Sequence, residues 1–352
     1  MVCRRGVVLA FLLAACGDDG PATTPDAAAP DAADVPLDTP ANTWTWVEIP
    51  GTTCANGSPA GFGVNRSTTS PDIFVLFQGG GACWDATTCF VTKTSVHIED
   101  TYGPSLLAAE TGNAVVDHTP SANPLQAPTH VYIPYCTGDL HAGTQSTTYD
   151  VAGTPRTVAH VGATNTQRFI DRLRSAFPDA RTIWVAGISA GGYGATFNHH
   201  RFTTAWPDAE VHTVQDGSPL ITPVTTYATW RTSWNIAFPP GCTSCDTDLT
   251  NVMATVRSSH PTSRFALLHY DDDAVIKSYF GFPATAGSMV AASNALVDAH
   301  YTATNSKSFM LAGTGHTMLF NAGTITAPGN LRLDAWLLQW ATGAPQWTTV
   351  RP

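Results

Sequence analysis

The sequence predicts an α/β fold with a largely parallel central sheet flanked by helices, and three observations support this prediction. Six short apolar runs rich in β-branched residues are each followed by Gly, Pro or Asp. Stretches with helical spacing of apolar residues separate several of these runs, as in a parallel sheet with crossover helices. One run leads into a Gly-x-Ser-x-Gly turn and another into three consecutive glycines. The predicted strands are residues 73–77, 130–134, 182–188, 211–215, 264–270 and 308–312, and the predicted helices are residues 164–177, 191–202 and 331–342.

Residues 1–42 predict an export signal followed by a tether. Two arginines precede a short apolar run that closes on Leu-Ala-Ala-Cys, which resembles the lipobox of bacterial lipoproteins. Residues 1–16 are therefore predicted to be a lipoprotein signal peptide that leaves Cys16 as a lipid anchor, and the alternative is an ordinary signal peptide with an incidental cysteine. Residues 17–42 are mostly Asp, Ala, Pro and Thr, which predicts a disordered, extended tether. We expect an exported protein at the bacterial cell envelope, on the outer membrane or the cell surface.

Residues 43–352 are predicted to form a single catalytic domain. This core keeps 15 of the 17 basic residues and 21 of the 27 acidic residues, so its net charge is negative. A negative surface argues against nucleic acid as a partner, because binding to phosphates depends on Lys and Arg. Membrane contact is expected only through the anchor at Cys16.

Ser189 is the predicted nucleophile. It lies in the segment Gly-Ile-Ser-Ala-Gly-Gly at residues 187–192, where the third predicted strand ends. A nucleophile elbow needs glycines on both sides of the serine because the strained turn brings the backbone close to its neighbours. An ordinary turn can carry the same motif, so partner residues at the other strand ends must decide.

His316 is the predicted general base. It lies between glycine-rich turns after the last predicted strand, which is where an α/β-hydrolase carries this residue. The pair at residues 199–200 is the alternative, but it lies inside the predicted helix after the elbow, from which Ser189 is hard to reach.

The acid that orients His316 is predicted among three adjacent residues, Asp271, Asp272 and Asp273, which follow the preceding strand. A carboxylate at this place would hold the imidazole tautomer and stabilise the imidazolium. Serine, acid and histidine then occur in the chain order of the α/β-hydrolase fold, which we predict for this domain. Asp216, at the end of an earlier strand, is a competing position for the acid.

The oxyanion hole is predicted to come from two backbone segments. Ala190, the residue after the serine, supplies one amide. The second source is Gly-Gly-Gly-Ala at residues 79–82, since consecutive glycines let the main chain turn its amides inward. A phosphate-binding loop is the alternative, but no Lys-Ser or Lys-Thr pair follows these glycines.

The cysteines predict disulfides in an oxidising compartment. Six of them lie in the core, and six cysteines allow 15 pairings. Cys242 and Cys245 resemble half of a zinc site, but the sequence has no second half with matching spacing, which favours a disulfide. Neither a metal nor a cofactor is predicted. The core cysteines are Cys54, Cys83, Cys89, Cys136, Cys242 and Cys245.

Four motifs together resemble the pectin acetylesterase and Notum carboxylesterase family. They are the glycine-rich loop with two cysteines at residues 78–89, the Tyr-Cys segment at 135–143, the elbow at 187–192 and the Asp-Gly turn at 216–217. The resemblance extends over about residues 46–347, which is almost the whole predicted core.

The resemblance implies roles for particular residues. Ser189 would be the nucleophile and His316 the base, with the acid among residues 271–273. Asp273 fits the family pattern of Asp, two variable residues and Gln best, although Ile stands in place of that Gln, whereas an aromatic-Asp match would select Asp271. The oxyanion hole falls on Gly80, Gly81 and Ala190. The spacing also implies that Cys83 and Cys89 lie close in sequence without necessarily being bonded to each other.

The predicted function is that of a serine carboxylesterase acting through an acyl-enzyme. The resemblance implies acetyl esters of a polysaccharide such as pectin as the substrate. One alternative is a lipase-like or Notum-like deacylase for longer chains, whose deep apolar pocket residues 221–240 would have to supply. Another alternative is a surface binding lipoprotein without turnover. Three tryptophans are candidates for a sugar-binding cleft or for the core: Trp84, Trp230 and Trp234.

Overall fold

The computed structural model describes residues 36–352 except 113, 117, 119–122 and 124. The predicted signal peptide, its Cys16 and most of the predicted tether therefore lie outside the described residues. Within the described part, no helix combines the length and apolar character needed to span a bilayer.

Eight strands of the described chain form one sheet in the order β1-β2-β4-β3-β7-β8-β9-β10. The six strands from β4 to β10 in this order are parallel to one another, and β1 and β2 add an antiparallel edge. Strands β5 and β6 form a separate antiparallel hairpin. The strands are β1 (Thr45–Thr53), β2 (Pro59–Asn65), β3 (Ile73–Phe77), β4 (Thr129–Ile133), β5 (Gln145–Val151), β6 (Thr154–His160), β7 (Thr182–Ile188), β8 (Glu210–Asp216), β9 (Phe265–Tyr270) and β10 (Ser306–Leu311).

Helices flank the sheet and fill most of the connections between its parallel strands, which confirms the predicted fold class. The predicted helix after the elbow is α3, and it packs against β7 and β8. The helices of the described chain are α1 (Pro104–Glu110), α2 (Gly162–Ala176), α3 (Ala190–Ala205), α4 (Tyr227–Trp234), α5 (Thr250–Ser259), α6 (Ala274–Phe280), α7 (Val290–His300) and α8 (Leu333–Thr342).

The hydrophobic core lies on both faces of the sheet, as the alternation along β9 illustrates. Phe265 and Leu267 belong to one buried cluster, whereas Ala266 and Leu268 belong to another. Successive side chains of a strand point to opposite faces, so two clusters on one strand mean that both faces are covered. The central strands β3 and β7 are accordingly almost continuous apolar runs, which is why the sequence predicts them well.

Residues 36–42 pack on the domain, although their composition assigned them to the tether. Leu37 is only 4% exposed and joins the core cluster. The Arg66 guanidinium donates to the Leu37 carbonyl at 3.0 Å, and the Asn42 amide donates to the Arg66 carbonyl at 2.9 Å. The folded part of the described chain therefore begins before Thr43, because the Leu37 side chain is buried in the core.

Three disulfides connect the six core cysteines. Cys54 after β1 is bonded to Cys136 after β4, and Cys83 is bonded to Cys89. The third disulfide joins the two cysteines that resembled half of a zinc site, residues 242 and 245. Disulfides are typical of proteins that leave the reducing cytosol.

Candidate active site

Ser189 lies at the sharp turn between β7 and α3. Its backbone has φ 54° and ψ −123°, a strained conformation for a residue with a side chain. A Cβ atom at Gly187 would collide with the backbone of Gly191, and one at Gly191 would collide with the carbonyl of Phe77. The glycines are required because the elbow is packed against its own helix and against the end of β3.

His316 lies on the loop after β10 and faces Ser189. Its Nε2 atom is 2.9 Å from the Ser189 hydroxyl oxygen, and its Nδ1 atom is 2.7 Å from Oδ2 of Asp273. Because the carboxylate accepts a hydrogen bond, Nδ1 carries the proton and Nε2 is left as the acceptor for the serine hydroxyl. The three side chains form one hydrogen-bonded chain.

The Asp273 carboxylate is held in place by the start of α6. Oδ1 of Asp273 accepts hydrogen bonds from the amides of Val275 at 2.9 Å and Ile276 at 3.1 Å, so this side chain also caps the helix. The side chain is fully buried. One oxygen of the carboxylate is therefore fixed by the backbone, and the other faces the imidazole.

The two neighbouring aspartates make other contacts. Oδ1 of Asp271 accepts from the Gly313 amide at 2.9 Å. Asp272 binds the Lys277 ammonium at 2.9 Å and accepts from the Gly287 amide at 2.7 Å. Of the three adjacent carboxylates, the one at position 273 is the one that contacts His316.

Asp216, the competing candidate, lies at the end of β8 and holds the histidine loop by its backbone. Its carboxylate accepts from the amides of Met318 at 2.8 Å and Leu319 at 2.7 Å, and its carbonyl accepts from the Ser189 amide at 2.7 Å. Burial raises the pKa of Asp216 to about 7, against the opposing effect of the two amides. This residue positions both the serine turn and the loop of His316 without contacting the imidazole through a hydrogen bond.

The glycine-rich loop after β3 lies beside the serine. Gly80 and Gly81 have φ values of 145° and 78°, which favour glycine, and both residues share a cleft wall with Ser189. No hydrogen bond within the described residues takes the amide of either glycine, or that of Ala190, as its donor. The three residues predicted for the oxyanion hole therefore lie on the two backbone segments next to Ser189.

His141 lies in the Tyr-Cys segment at 135–143 and was not among the site residues predicted from the sequence. Its Nε2 atom lies 2.9 Å from the Gln78 carbonyl, and its ring packs on Phe77 with a centroid distance of 5.0 Å. Burial lowers the pKa of His141 to about 4, so the ring is neutral and donates to that carbonyl. His141 therefore supports the glycine-rich loop from behind, and a Gly-Asp-Leu-His-Ala-Gly run beside a predicted strand end was the signal available for it.

Two connected spaces meet at Ser189. The larger is an open cleft of about 470 Å³. The smaller is an apolar recess of about 20 Å³, which Ser189 lines together with Trp230 and Phe280. Trp230 and Trp234 are buried in the core, whereas Trp84 is partly buried and packs on Trp230. Described residues that line the cleft are Leu76, Gln78, Gly79, Gly80, Gly81, Glu110, Tyr132, Ile188, Ser189, Val275, Tyr279, His316, Thr317 and Phe320.

The parallel sheet, the elbow after β7 and the position of the loops at the strand ends define a protein of the α/β-hydrolase type. The family model for pectinacetylesterase matches residues 40–234, more than half of the chain. The chain therefore belongs to the pectinacetylesterase family. The matched range includes the glycine-rich loop and Ser189 and ends before Asp273 and His316.

Curated relatives are carboxylesterases by name. The chain is 26% identical over 167 residues to palmitoleoyl-protein carboxylesterase notum2 of Xenopus laevis, covering 46% of this chain and 32% of the relative. It is 30% identical over 151 residues to notum1' of the same organism, covering 42% and 29%. It is 28% identical over 153 residues to human palmitoleoyl-protein carboxylesterase NOTUM, again covering 42% and 29%. The matched segment thus spans less than a third of the length of each of these relatives.

Proposed function

We propose that this protein is a serine carboxylesterase that removes acetyl groups from an acetylated carbohydrate, pectin being one such polymer. The observation that carries the proposal is the hydrogen-bonded chain from Ser189 through His316 to Asp273. Family membership and the names of the relatives support ester hydrolysis as the class of reaction. The three disulfides support export, since they persist in oxidising compartments.

In the proposed mechanism, the Ser189 oxygen attacks the ester carbonyl carbon while Nε2 of His316 takes the hydroxyl proton. The carbonyl oxygen becomes an oxyanion that accepts hydrogen bonds from the amides of Gly80, Gly81 and Ala190. The tetrahedral intermediate collapses, the bond to the alcohol oxygen breaks, and His316 gives its proton to that oxygen. His316 then takes a proton from a water molecule, and the water oxygen attacks the carbonyl carbon of the acyl-enzyme. The bond to the Ser189 oxygen breaks, His316 returns the proton to that oxygen, and the acid is released.

The size of the recess supports a short acyl group. Its volume of about 20 Å³ compares with the ~10–15 Å³ that a single water molecule needs. An acetyl methyl group fits such a space, whereas a chain of several carbons does not. Helix α4, in the region expected to supply a deep pocket, instead fills it with Trp230.

A longer-chain deacylase is the second candidate, and the observation that favours it is the apolar wall of the open cleft. Val275 and Phe320 line this wall, and both are partly exposed. A chain lying there would also desolvate the carboxylate of Glu110 on the same cleft, which is costly for a charged group. The acetylesterase is therefore a stronger candidate than the longer-chain deacylase.

A series of aryl esters tests the proposal. We expect rapid hydrolysis of the acetate, a steep fall at butyrate, and no hydrolysis of either ester by Ser189→Ala. Acetate release from a panel of acetylated polysaccharides then identifies the polymer. A preference for octanoate would replace the acetylesterase by the deacylase, and failure of a fluorophosphonate probe to label Ser189 in folded protein would favour a binding protein without turnover.

We further propose that Cys16 is lipidated after signal cleavage and that the residues following it tether the domain to the cell envelope. Metabolic labelling with a fatty acid tests this: Cys16→Ala should lose both the label and membrane association. Retention of the label by the variant would contradict the anchor.

A further inference from the structure

A three-residue segment, residues 94–96, pairs with the glycine-rich loop. The Val96 amide donates to the Gly80 carbonyl at 2.9 Å, and the Ala82 amide donates to the Thr94 carbonyl at 3.2 Å. The Thr94 hydroxyl donates in turn to the Ala82 carbonyl at 2.7 Å. The backbone of the glycine-rich loop is therefore held on both sides of its third glycine by hydrogen bonds to this segment.

Tyr279 contacts the same pairing from helix α6. Its hydroxyl donates to the Thr94 carbonyl, which is the oxygen that also accepts from the Ala82 amide. Burial raises the pKa of Tyr279, so the hydroxyl keeps its proton at neutral pH and remains a donor. A Cβ atom at Gly81 would collide with the Tyr279 hydroxyl and with the Thr94 carbonyl. The hydroxyl is thus packed directly against a residue proposed for the oxyanion hole.

Helix α6 also carries the acid of the proposed triad. Asp273 caps the start of this helix through the amides of Val275 and Ile276, and Tyr279 follows within the same helix. The ring of Tyr279 lines both the open cleft and the recess at Ser189. The ring and the hydroxyl therefore have different contacts, and phenylalanine at this position would keep the wall of the site while removing the bond to the loop segment.

We propose that Tyr279 is a positioning residue for the oxyanion hole. Its hydroxyl fixes the Thr94 carbonyl, and this carbonyl holds the glycine-rich loop, so that the amides of Gly80 and Gly81 keep the geometry that binds the oxyanion. The inference rests on the proposed esterase function and adds a residue to its machinery. Both acylation and deacylation pass through an oxyanion, so displaced amides slow both steps and leave substrate binding unchanged.

Tyr279→Phe tests the proposal with an aryl acetate as the substrate. We expect kcat to fall at least about tenfold while KM stays within about twofold, because the lost stabilisation exists only in the transition state. The expected result is therefore a loss in kcat and kcat/KM of about the same size.

A small trifluoromethyl ketone, trifluoroacetone, gives a second readout. The Ser189 oxygen forms a bond to the carbonyl carbon of this inhibitor, the hydroxyl proton goes to His316, and the carbonyl oxygen becomes an oxyanion. The adduct resembles the tetrahedral intermediate, so its inhibition constant in Tyr279→Phe should rise by about the same factor as kcat/KM falls. A residue that only supports the fold would not link these two quantities.

Tyr227→Phe is the matched control. The Tyr227 hydroxyl also donates to a backbone carbonyl, that of Cys245, but Tyr227 lines neither the cleft nor the recess. Circular dichroism and thermal unfolding check that each variant folds. We expect Tyr227→Phe to leave kcat and the inhibition constant of the ketone within about twofold of the wild type.

Thr94 supplies a test that leaves Tyr279 in place. Thr94→Val removes the hydroxyl bond to the Ala82 carbonyl, whereas Thr94→Ser keeps a hydroxyl there. We expect kcat to fall in Thr94→Val and to stay within about twofold in Thr94→Ser. Because both losses act on one loop, Thr94→Val combined with Tyr279→Phe should cost less than the product of the single effects.

The outcomes separate this inference from the proposed function, and Ser189→Ala is the blank for each assay. An unchanged kcat in Tyr279→Phe, or a lower kcat with an unchanged inhibition constant for the ketone, overturns the role of Tyr279 and leaves the esterase intact. A loss of kcat of the same size in Tyr227→Phe also overturns that role. Absence of aryl acetate hydrolysis in the wild type overturns the esterase and the inference together.

Discussion

Asp271, Asp272 and Asp273 are adjacent in the chain, yet each carboxylate has a different set of contacts. The first binds a backbone amide of the histidine loop, the second binds a lysine, and the third binds the imidazole of His316. At the scale of single residues, the geometry of one turn decides which of the three carboxylates contacts the imidazole.

Asp273→Asn should lower kcat on an aryl acetate on the order of 10³–10⁴-fold, because an amide can stabilise the wrong imidazole tautomer. The serine–histidine hydrogen bond would lose its orientation while the fold is retained. Steady-state kinetics with circular dichroism as a check on folding measures this effect.

Asp271→Asn is the matched control for that substitution, and we expect it to cost less than about tenfold because its hydrogen bond to Gly313 can persist with an amide oxygen. Equal losses in the two variants would contradict the assignment of the acid.

Asp216→Asn should change how stability depends on pH. The folded-state pKa of Asp216 is about 7, above the 3.8 of an unperturbed Asp. The folded state therefore binds this proton more tightly, and the stability that it contributes is complete below about pH 4 and is lost as pH rises through 7. The wild type should lose up to about 4 kcal/mol more than the variant between these limits. Urea unfolding at several pH values measures this, and parallel curves for the two proteins would refute it.

At the scale of elements, the site lies at the carboxyl ends of the parallel strands. The glycine loop follows β3, Ser189 follows β7, Asp216 ends β8, Asp273 follows β9 and His316 follows β10. In a parallel sheet the carboxyl ends of all strands meet on one side, so residues far apart in sequence converge there. This is why the strand ends alone could predict that Ser189 and His316 lie together.

Prediction succeeded where burial alone fixes an element. The runs at 73–77 and 182–188 match β3 and β7, because both faces of these strands are covered. Strand β2, which lies between the edge strand β1 and β4, was missed because its glycines obscure the pattern, and Gly63 is required where Leu107 of α1 packs against it. The hairpin β5–β6 was missed because its exposed Thr-rich sequence resembles a loop. Glu110 had no local signal, since only the packing of α1 near β4 brings it to the cleft.

We predict that helix α4 sets the length of the acyl chain that the recess accepts, because its Trp230 lines the recess. Trp230→Leu removes part of the wall behind Ser189, so kcat/KM on butyrate relative to acetate should rise at least about tenfold. The Trp230 indole nitrogen has no hydrogen-bond partner in the described structure, so the substitution breaks no such bond.

Trp340→Leu is the control for general loosening of the core. Trp340 is equally buried, at 1% exposure, but belongs to the other core cluster. It should destabilise the protein while leaving the chain-length ratio unchanged. A rise in both variants would mean that the recess does not set acyl length.

At the scale of the whole molecule, the disulfides differ in how much chain they close. The bond from Cys54 to Cys136 spans 82 residues and connects the end of the edge strand β1 to the end of β4, the third strand of the sheet, whereas the bond from Cys83 to Cys89 spans 6 residues. Loop entropy predicts that replacing the first pair by alanines lowers the free energy of unfolding by roughly 4–5 kcal/mol, and the second by about 2 kcal/mol. Equilibrium unfolding of the two double variants measures the difference. Equal losses would argue against the explanation that the disulfides stabilise the protein by reducing the entropy of the unfolded chain.

Gln78 connects the cleft wall at Glu110 with the residues that support the glycine-rich loop. Its Oε1 atom accepts from the Tyr135 amide at 2.7 Å and its Nε2 atom donates to Glu110, while the backbone carbonyl of Gln78 accepts from Nε2 of His141. A change at the cleft wall therefore shifts the hydrogen bonds that hold the glycine-rich loop. Substitutions at 78, 110 and 141 should combine non-additively, so laboratory evolution toward new carbohydrates would have to alter these positions together rather than one after another.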